Sequence, residues 1–212
     1  MSIGDLEKHL GRVRQLTDIY LAGDTDAFAA FGELVNLLLR VTVLPGPIGV
    51  RLTAGPRPRD RMMVEGGLAR DKDVVRLSDD RFLRVSVTLF REPHESGHRM
   101  KVERATYQYQ LDEEGNHWVF RYDYVRAPRD EHPASHLQIR GNLYENVRLH
   151  KGLLERTHFP AGRTSIESVL RLLLEQFEVP PSTPLEIWRP VLAASEAVFE
   201  RIAHRPLSGP VA

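Results

Sequence analysis

An arginine and a carboxylate two residues apart, with histidines close behind, are the side chains in this sequence best suited to chemistry. Arg121 and Asp123 lie in the alternating stretch Trp118-Val-Phe-Arg-Tyr-Asp-Tyr-Val125, and His132 and His136 follow within fifteen residues of Arg121. A strand reverses its side chains at every residue, so Arg121 and Asp123 share a face and stand about 7 Å apart. A guanidinium so placed binds phosphate or another anion, and the carboxylate orients it or acts as a base. Imidazole titrates near neutral pH, which suits His132 or His136 to move a proton. Arg121, Asp123, His132 and His136 thus supply an anion clamp, an acid and a base, the minimum set for acid–base work on a charged substrate. The same residues also read as a cross-strand ion pair on a solvated sheet face, with loop histidines beside it.

Around this group lies the best candidate surface for nucleic acid. Four of the six tyrosines (Tyr107, Tyr109, Tyr122 and Tyr124) fall on two neighbouring strand candidates, and five of the nine histidines lie between His117 and His158. Residues 121–163 hold eight basic against five acidic side chains. Tyr107, Tyr109 and Tyr122 could stack on unpaired bases while Arg126 and Arg140 hold phosphate. A mixed solvated surface explains so small an excess equally well. His94 and His98, like His132 and His136, are four residues apart, a spacing that on a helix could share a metal ion. Neither pair carries the glutamate of a zinc-protease motif, and both adjoin proline or glycine, so neither a metal nor a cofactor is expected. The turn Phe159-Pro-Ala-Gly-Arg163 could present Thr164 and Ser165 to an anion at a helix start, or simply aim the helix.

The elements that position these residues read as one α+β unit. Leu6, Leu10, Val13, Thr17 and Tyr20 recur at helical spacing over 5–21, and Phe28, Phe31, Val35 and Leu38 continue after the Gly23-Asp24-Thr25 break. Asp24 or Thr25 is placed to cap that second helix. Prolines at 45, 47, 56 and 58 then exclude helix. Strand candidates follow at 48–53, 60–65, 73–77, 81–91, 99–110, 117–126 and 136–143, joined by short turns that demand antiparallel pairing. Thr164-Ser-Ile-Glu167 and Thr183-Pro-Leu-Glu186 are capping boxes for two closing helices, the second carrying Trp188, Leu192, Ser195, Phe199 and Ile202 on one face, with Pro190 expected to kink or delay it. The expected architecture is an antiparallel β-sheet meander over 41–145, flanked by an N-terminal helical hairpin over 1–40 and two C-terminal helices over 164–204, all in a single domain of 212 residues.

Composition narrows the class. Apolar residues are 42% and charged residues 27%, and 29 basic residues balance 29 acidic ones. With no net field, any nucleic-acid binding must come from a local patch. The chain has no cysteine, which removes disulfides, thiolate metal sites and a cysteine nucleophile. The acidic start Met-Ser-Ile-Gly-Asp-Leu-Glu-Lys is not a secretory signal, and the apolar runs are too short to span a bilayer, so a cytoplasmic chain is expected.

Tyr107-x-Tyr109, Asp112-Glu-Glu-Gly115, Phe120-Arg-Tyr-Asp123, His132-Pro133 and His136 together resemble the TumE-type toxins of prokaryotic toxin–antitoxin systems. The likeness covers about residues 105–140. Tyr124 stands where that family usually has asparagine, and Gln138 where the second histidine of an H-x-H pair is expected. The resemblance implies a toxin acting on RNA, with a helix-turn-helix antitoxin as partner. On this reading the chain is a ribonuclease-like toxin or RNA-modifying protein in which Arg121 holds phosphate and His132 or His136 moves protons. The residues leave a second reading open: a binding module, monomeric or homo-oligomeric, that docks nucleic acid or protein through the sheet face or through the helix 183–204.

Overall fold

The structure, a computed structural model, describes residues 3–46, 49–54, 61–66, 74–95, 97–128, 133–140, 159 and 162–203. Within these residues four helices and seven strands form an α+β fold. Two helices open it, α1 (Ile3–Ala22) and α2 (Ala27–Thr42). The strands follow as β1 (Val50–Ala54), β2 (Arg61–Gly66), β3 (Val74–Arg76), β4 (Phe82–His94), β5 (Gly97–Gln110), β6 (Trp118–Val125) and β7 (Ser135–Ile139). The helices α3 (Ile166–Glu175) and α4 (Leu185–Ala203) close it.

All seven strands belong to one antiparallel sheet in the order β1-β2-β4-β5-β6-β7, with β3 also pairing β4. Met62 pairs with Leu89 and Val75 with Leu83, so β2 and β3 lie end to end along the same edge of β4. The strand boundaries expected from alternation match to within a few residues. The last expected strand is seen to Ile139, and 141–143 lie outside the described residues.

One face of the sheet is apolar, and the helices cover it. Leu83, Val85 and Val87 of β4, Tyr107 and Tyr109 of β5, and Phe120 and Tyr122 of β6 are buried there. They join Val13 and Leu16 of α1, Leu38 and Leu39 of α2, Leu170 and Leu173 of α3, and Val191 and Leu192 of α4 in one cluster. Phe120 anchors its aromatic part, with Phe177, Phe159 and Tyr122 ring centroids at 5.3, 5.7 and 5.8 Å.

The helix starts differ in detail from the sequence pattern. Asp26, not Asp24 or Thr25, is the N-cap of α2, and it makes no side-chain capping bond. Gly23 turns the chain between α1 and α2 at φ +74°. Ser165 rather than Thr164 caps α3, accepting the Ser168 N–H at 3.1 Å, which frees Glu167 from the capping role and turns it inward. Thr183 Oγ1 donates to the Val41 carbonyl, 2.7 Å away. The helix α4 starts at Leu185 and continues through Pro190.

Two polar devices tie the layers together. The Asn36 amide of α2 brackets Val50 like a neighbouring strand, donating to its carbonyl at 2.9 Å and accepting its N–H at 2.7 Å. The end of α2 is closed by distant donors. Ser182 N–H binds the Thr42 carbonyl at 2.7 Å, Ser78 N–H binds that of Val43 at 3.0 Å, and Ser182 Oγ binds that of Leu44 at 2.6 Å. Carbonyls that the last turn leaves unpaired are thereby satisfied. No helix among the described residues is long and apolar enough to cross a membrane.

Candidate functional site

The face of the sheet turned away from the helices is polar, and registration makes it continuous. Arg51, Glu65, Ser86, Thr106, Asp123 and His136 are cross-strand partners in turn, so one row of polar side chains crosses six strands. The adjoining row runs Arg84, Gln108, Arg121, Gln138. Facing pairs within a row bring side chains about 5 Å apart, and the two rows lie about 7 Å apart along each strand, within reach of long side chains.

Arg121, Asp123 and His136 meet where these rows cross β6 and β7. Arg121 Nε donates to Asp123 Oδ2 at 2.7 Å, and Arg121 Nη2 donates to Gln138 Oε1 at 2.6 Å. Thr106 Oγ1 donates to the other carboxylate oxygen at 2.8 Å. His136 Nε2 lies 3.6 Å from Asp123 Oδ2, longer than a hydrogen bond but in electrostatic contact. The three side chains keep 35%, 18% and 29% of their surface exposed, so a solute can reach them. A guanidinium has five N–H groups, and those on Arg121 Nη1 have no acceptor among the described residues.

Trp118 joins this group against the expectation from alternation. The register shifts between Tyr109 and Gln110, so that Tyr109 faces Phe120 while Gln110 faces Trp118 and Val119 is the extra residue. A bulge moves everything beyond it to the other face. The Trp118 ring accordingly lies on the Arg121 side, 5.9 Å from the guanidinium carbon. Bulge, Thr106 and the role of Gln138 all escaped the sequence reading. An unbroken period of two hides a bulge, and cross-strand partners are invisible until register is known.

The other expected site residues are placed differently. His132 lies outside the described residues. Tyr107, Tyr109 and Tyr122 are 6%, 0% and 4% exposed, so the expectation that they stack on bases is corrected: they belong to the core. Burial raises the pKa of all three. Tyr109 uses its hydroxyl internally, accepting from Arg81 at 2.6 Å and donating to Asp79 at 3.0 Å. Arg126 donates to the Val102 carbonyl at 2.8 Å, beyond one end of β6, and Arg140 reaches the Asn116 carbonyl near the other. The length of β6 puts them roughly 20 Å apart, too far to hold one phosphate together.

His94 and His98 flank the β4–β5 turn on opposite strands, where Pro93 faces His98, so they are not one turn of helix. Among the described residues no cluster of three or more histidine or carboxylate side chains is arranged to hold a metal ion. A second imidazole–carboxylate contact, His117 Nδ1 to Asp112 Oδ2 at 3.0 Å, closes the β5–β6 turn. Backbone N–H groups of Asn116 and His117 also bind Asp112; the pKa of this carboxyl is lowered, burial opposing those bonds. That contact is occupied in building the turn.

Comparison with protein-family models, with curated proteins and with solved structures returns no match to this chain.

Proposed function

We propose that this chain is a toxin-like protein of a prokaryotic toxin–antitoxin pair and that its polar sheet face cleaves RNA without a metal. The observation that supports this most is one carboxylate shared by a guanidinium and an imidazole: Asp123 Oδ2 is 2.7 Å from Arg121 Nε and 3.6 Å from His136 Nε2. Arg121, held by Asp123 and Gln138, offers the remaining N–H pair to a phosphodiester. His136 Nε2 removes the proton of the neighbouring 2′-hydroxyl, whose oxygen attacks phosphorus as the bond to the 5′-oxygen breaks. The leaving oxygen takes a proton back from the imidazolium, giving a 2′,3′-cyclic phosphate and a 5′-hydroxyl end. Arg121 offsets charge on the non-bridging oxygens throughout, and Asp123 faces the nitrogen that gains the proton. The exposed part of Trp118, beside the clamp, takes the stacking role that the buried tyrosines do not fill.

The test is incubation of the purified protein with end-labelled single-stranded RNA in EDTA. The wild type should yield fragments with cyclic phosphate ends, and His136→Ala and Arg121→Met should lose at least about a hundredfold in rate, the scale of one general acid–base group. Intact RNA with the wild type, or equal cleavage by His136→Ala, ends this reading. The continuity of the polar row over six strands favours a second one, in which the same face holds RNA or an antitoxin without reacting. Binding by the wild type without cleavage, weakened in Arg121→Met, is its signature. Docking through the helix near the C-terminus has less support, since Trp188, Leu192 and Ser195 are turned into the core.

A further inference from the structure

On the opposite side of the sheet, a cavity of about 70 Å³ lies between α1, α2, β5 and the two closing helices. Its lining is mostly apolar, with aliphatic side chains of α2 and α4 alongside aromatic ones such as Phe31, and Tyr20, Tyr107, Arg163, Glu167 and Ser195 supply polar atoms. Arg163 comes from the turn that precedes α3. Its guanidinium carbon sits 4.7 Å from the Tyr124 ring centroid and 5.3 Å from that of Phe199. Among the described residues no carboxylate or other acceptor hydrogen-bonds this guanidinium, and the aromatic faces satisfy its charge but not its N–H groups. Arg163 is thus a half-buried cation, without a carboxylate partner among the described residues, at the wall of a largely apolar cavity.

We propose that this cavity binds a short aliphatic carboxylate, whose carboxylate group pairs with Arg163 and whose hydrocarbon chain fills the space between α2 and α4. The rest of the polar lining agrees in sign. Burial pushes the Tyr20 hydroxyl up to about 12 and the Tyr107 hydroxyl higher still, so both remain donors. Burial also raises the Glu167 pKa, and Ser195 Oγ donates to Glu167 Oε1 at 2.5 Å, so this pair is occupied with itself. Two phenol donors and one cation in the lining favour an acceptor that carries negative charge. It disfavours an amine, which would meet Arg163 with like charge. At about 70 Å³ the cavity has room for a short chain and not for one of lipid length. Ser165 and Ile166, at the start of α3, also line it, adding the positive end of that helix. This site shares no residue with the Arg121 cluster and does not depend on the RNA reading.

The probes are sodium butyrate, butyramide and butylammonium chloride, added to the full chain at matched ionic strength and followed by thermal unfolding and isothermal titration calorimetry. Butyrate should raise Tm in proportion to the logarithm of its concentration, butyramide should do so weakly, and butylammonium should not. Arg163→Met should weaken butyrate binding about tenfold or more, the loss expected for a charge-assisted contact. Val198→Phe fills the cavity and leaves Arg163 in place, so it should abolish binding as well. The proposal is overturned if butyrate leaves Tm at the salt control, if butylammonium stabilises as strongly, or if either folded variant binds butyrate as the wild type does. The comparison of the three probes needs no variant, so a failure of Arg163→Met to fold does not blunt the test.

Discussion

Glu167 should make the protein less stable as pH rises from acid to neutral, and Glu167→Gln should remove that loss. The side chain is buried beneath α3, with Ser195 Oγ at 2.5 Å as its close partner. Burial penalises its charged form and raises its pKa above the ordinary 4.5, outweighing the hydrogen bonds from Ser195 and Ser165, which act the other way. In the unfolded chain the carboxyl loses its proton near the ordinary value. Between the unfolded and the folded pKa, therefore, the folded state holds more protons, and stability falls with pH by up to about 1.4 kcal/mol per unit. Below about pH 4.5 the carboxyl is protonated in both states and this slope vanishes. Glutamine keeps the shape and can accept from Ser195, but it does not titrate. Urea unfolding of both proteins at half-unit steps from about pH 4 to pH 8 gives the difference in stability between them. Titrating groups that do not interact with Glu167 cancel in that difference, whereas the nearby charge of Glu196 adds to the rise in the Glu167 pKa. The variant should gain on the wild type progressively above about pH 4.5. A gap that stays constant over the whole range would show that Glu167 titrates alike in the folded and unfolded chain and that the reasoning from burial is wrong.

Other substitutions probe separate parts of the structure. Gly23→Ala places a methyl carbon 2.1 Å from the His98 carbonyl oxygen at a residue with φ +74°, so urea unfolding should show a loss of at least about 2 kcal/mol. Asn36→Ala removes both bonds to Val50 and should lower stability by about 1–3 kcal/mol, with faster hydrogen exchange at the Val50 amide as the local signature. Asp123→Asn should leave the unfolding free energy within about 1 kcal/mol, because its partner Arg121 is a third exposed, yet it should abolish RNA cleavage. Loss of fold and of activity together in Asp123→Asn would mean that the cluster is structural.

The fold was legible because its signals are local. Alternation from Leu83 to Leu89 marks β4, and the four-three spacing of Leu6, Leu10, Val13 and Thr17 marks α1, whatever the rest of the chain does. The juxtaposition of Arg121 and Asp123 was legible for the same reason, being a property of one strand. Antiparallel pairing follows from the short turns, but register and the covered face of the sheet have no local signal. Tyr107, Tyr109 and Tyr122 look like a stacking surface in the sequence because alternation says which residues share a face, not which face meets the helices. Trp118 changed sides because of a single extra residue in β6. Thr164 and Glu167 had the spacing of a capping box, but a start one residue later made Ser165 the cap and left Glu167 to face Ser195. The cavity beside Arg163 had no sequence signal beyond the Phe159–Arg163 turn, since its walls come from five elements spread along the chain.

The closure of α2 by Ser78, Ser182 and Thr183 bears on how the chain is made. The Val41 carbonyl waits for a hydroxyl 142 positions downstream, and that of Leu44 for one 138 positions downstream. At translation rates of roughly 5–20 residues per second, that interval is about seven to thirty seconds. During it the Val41, Thr42 and Leu44 carbonyls lack these partners, while that of Val43 has its donor in Ser78 much earlier. The last turn of the second element to leave the ribosome is thus among the last parts to be completed, and a chain stopped before residue 182 lacks the Ser182 and Thr183 donors that finish it.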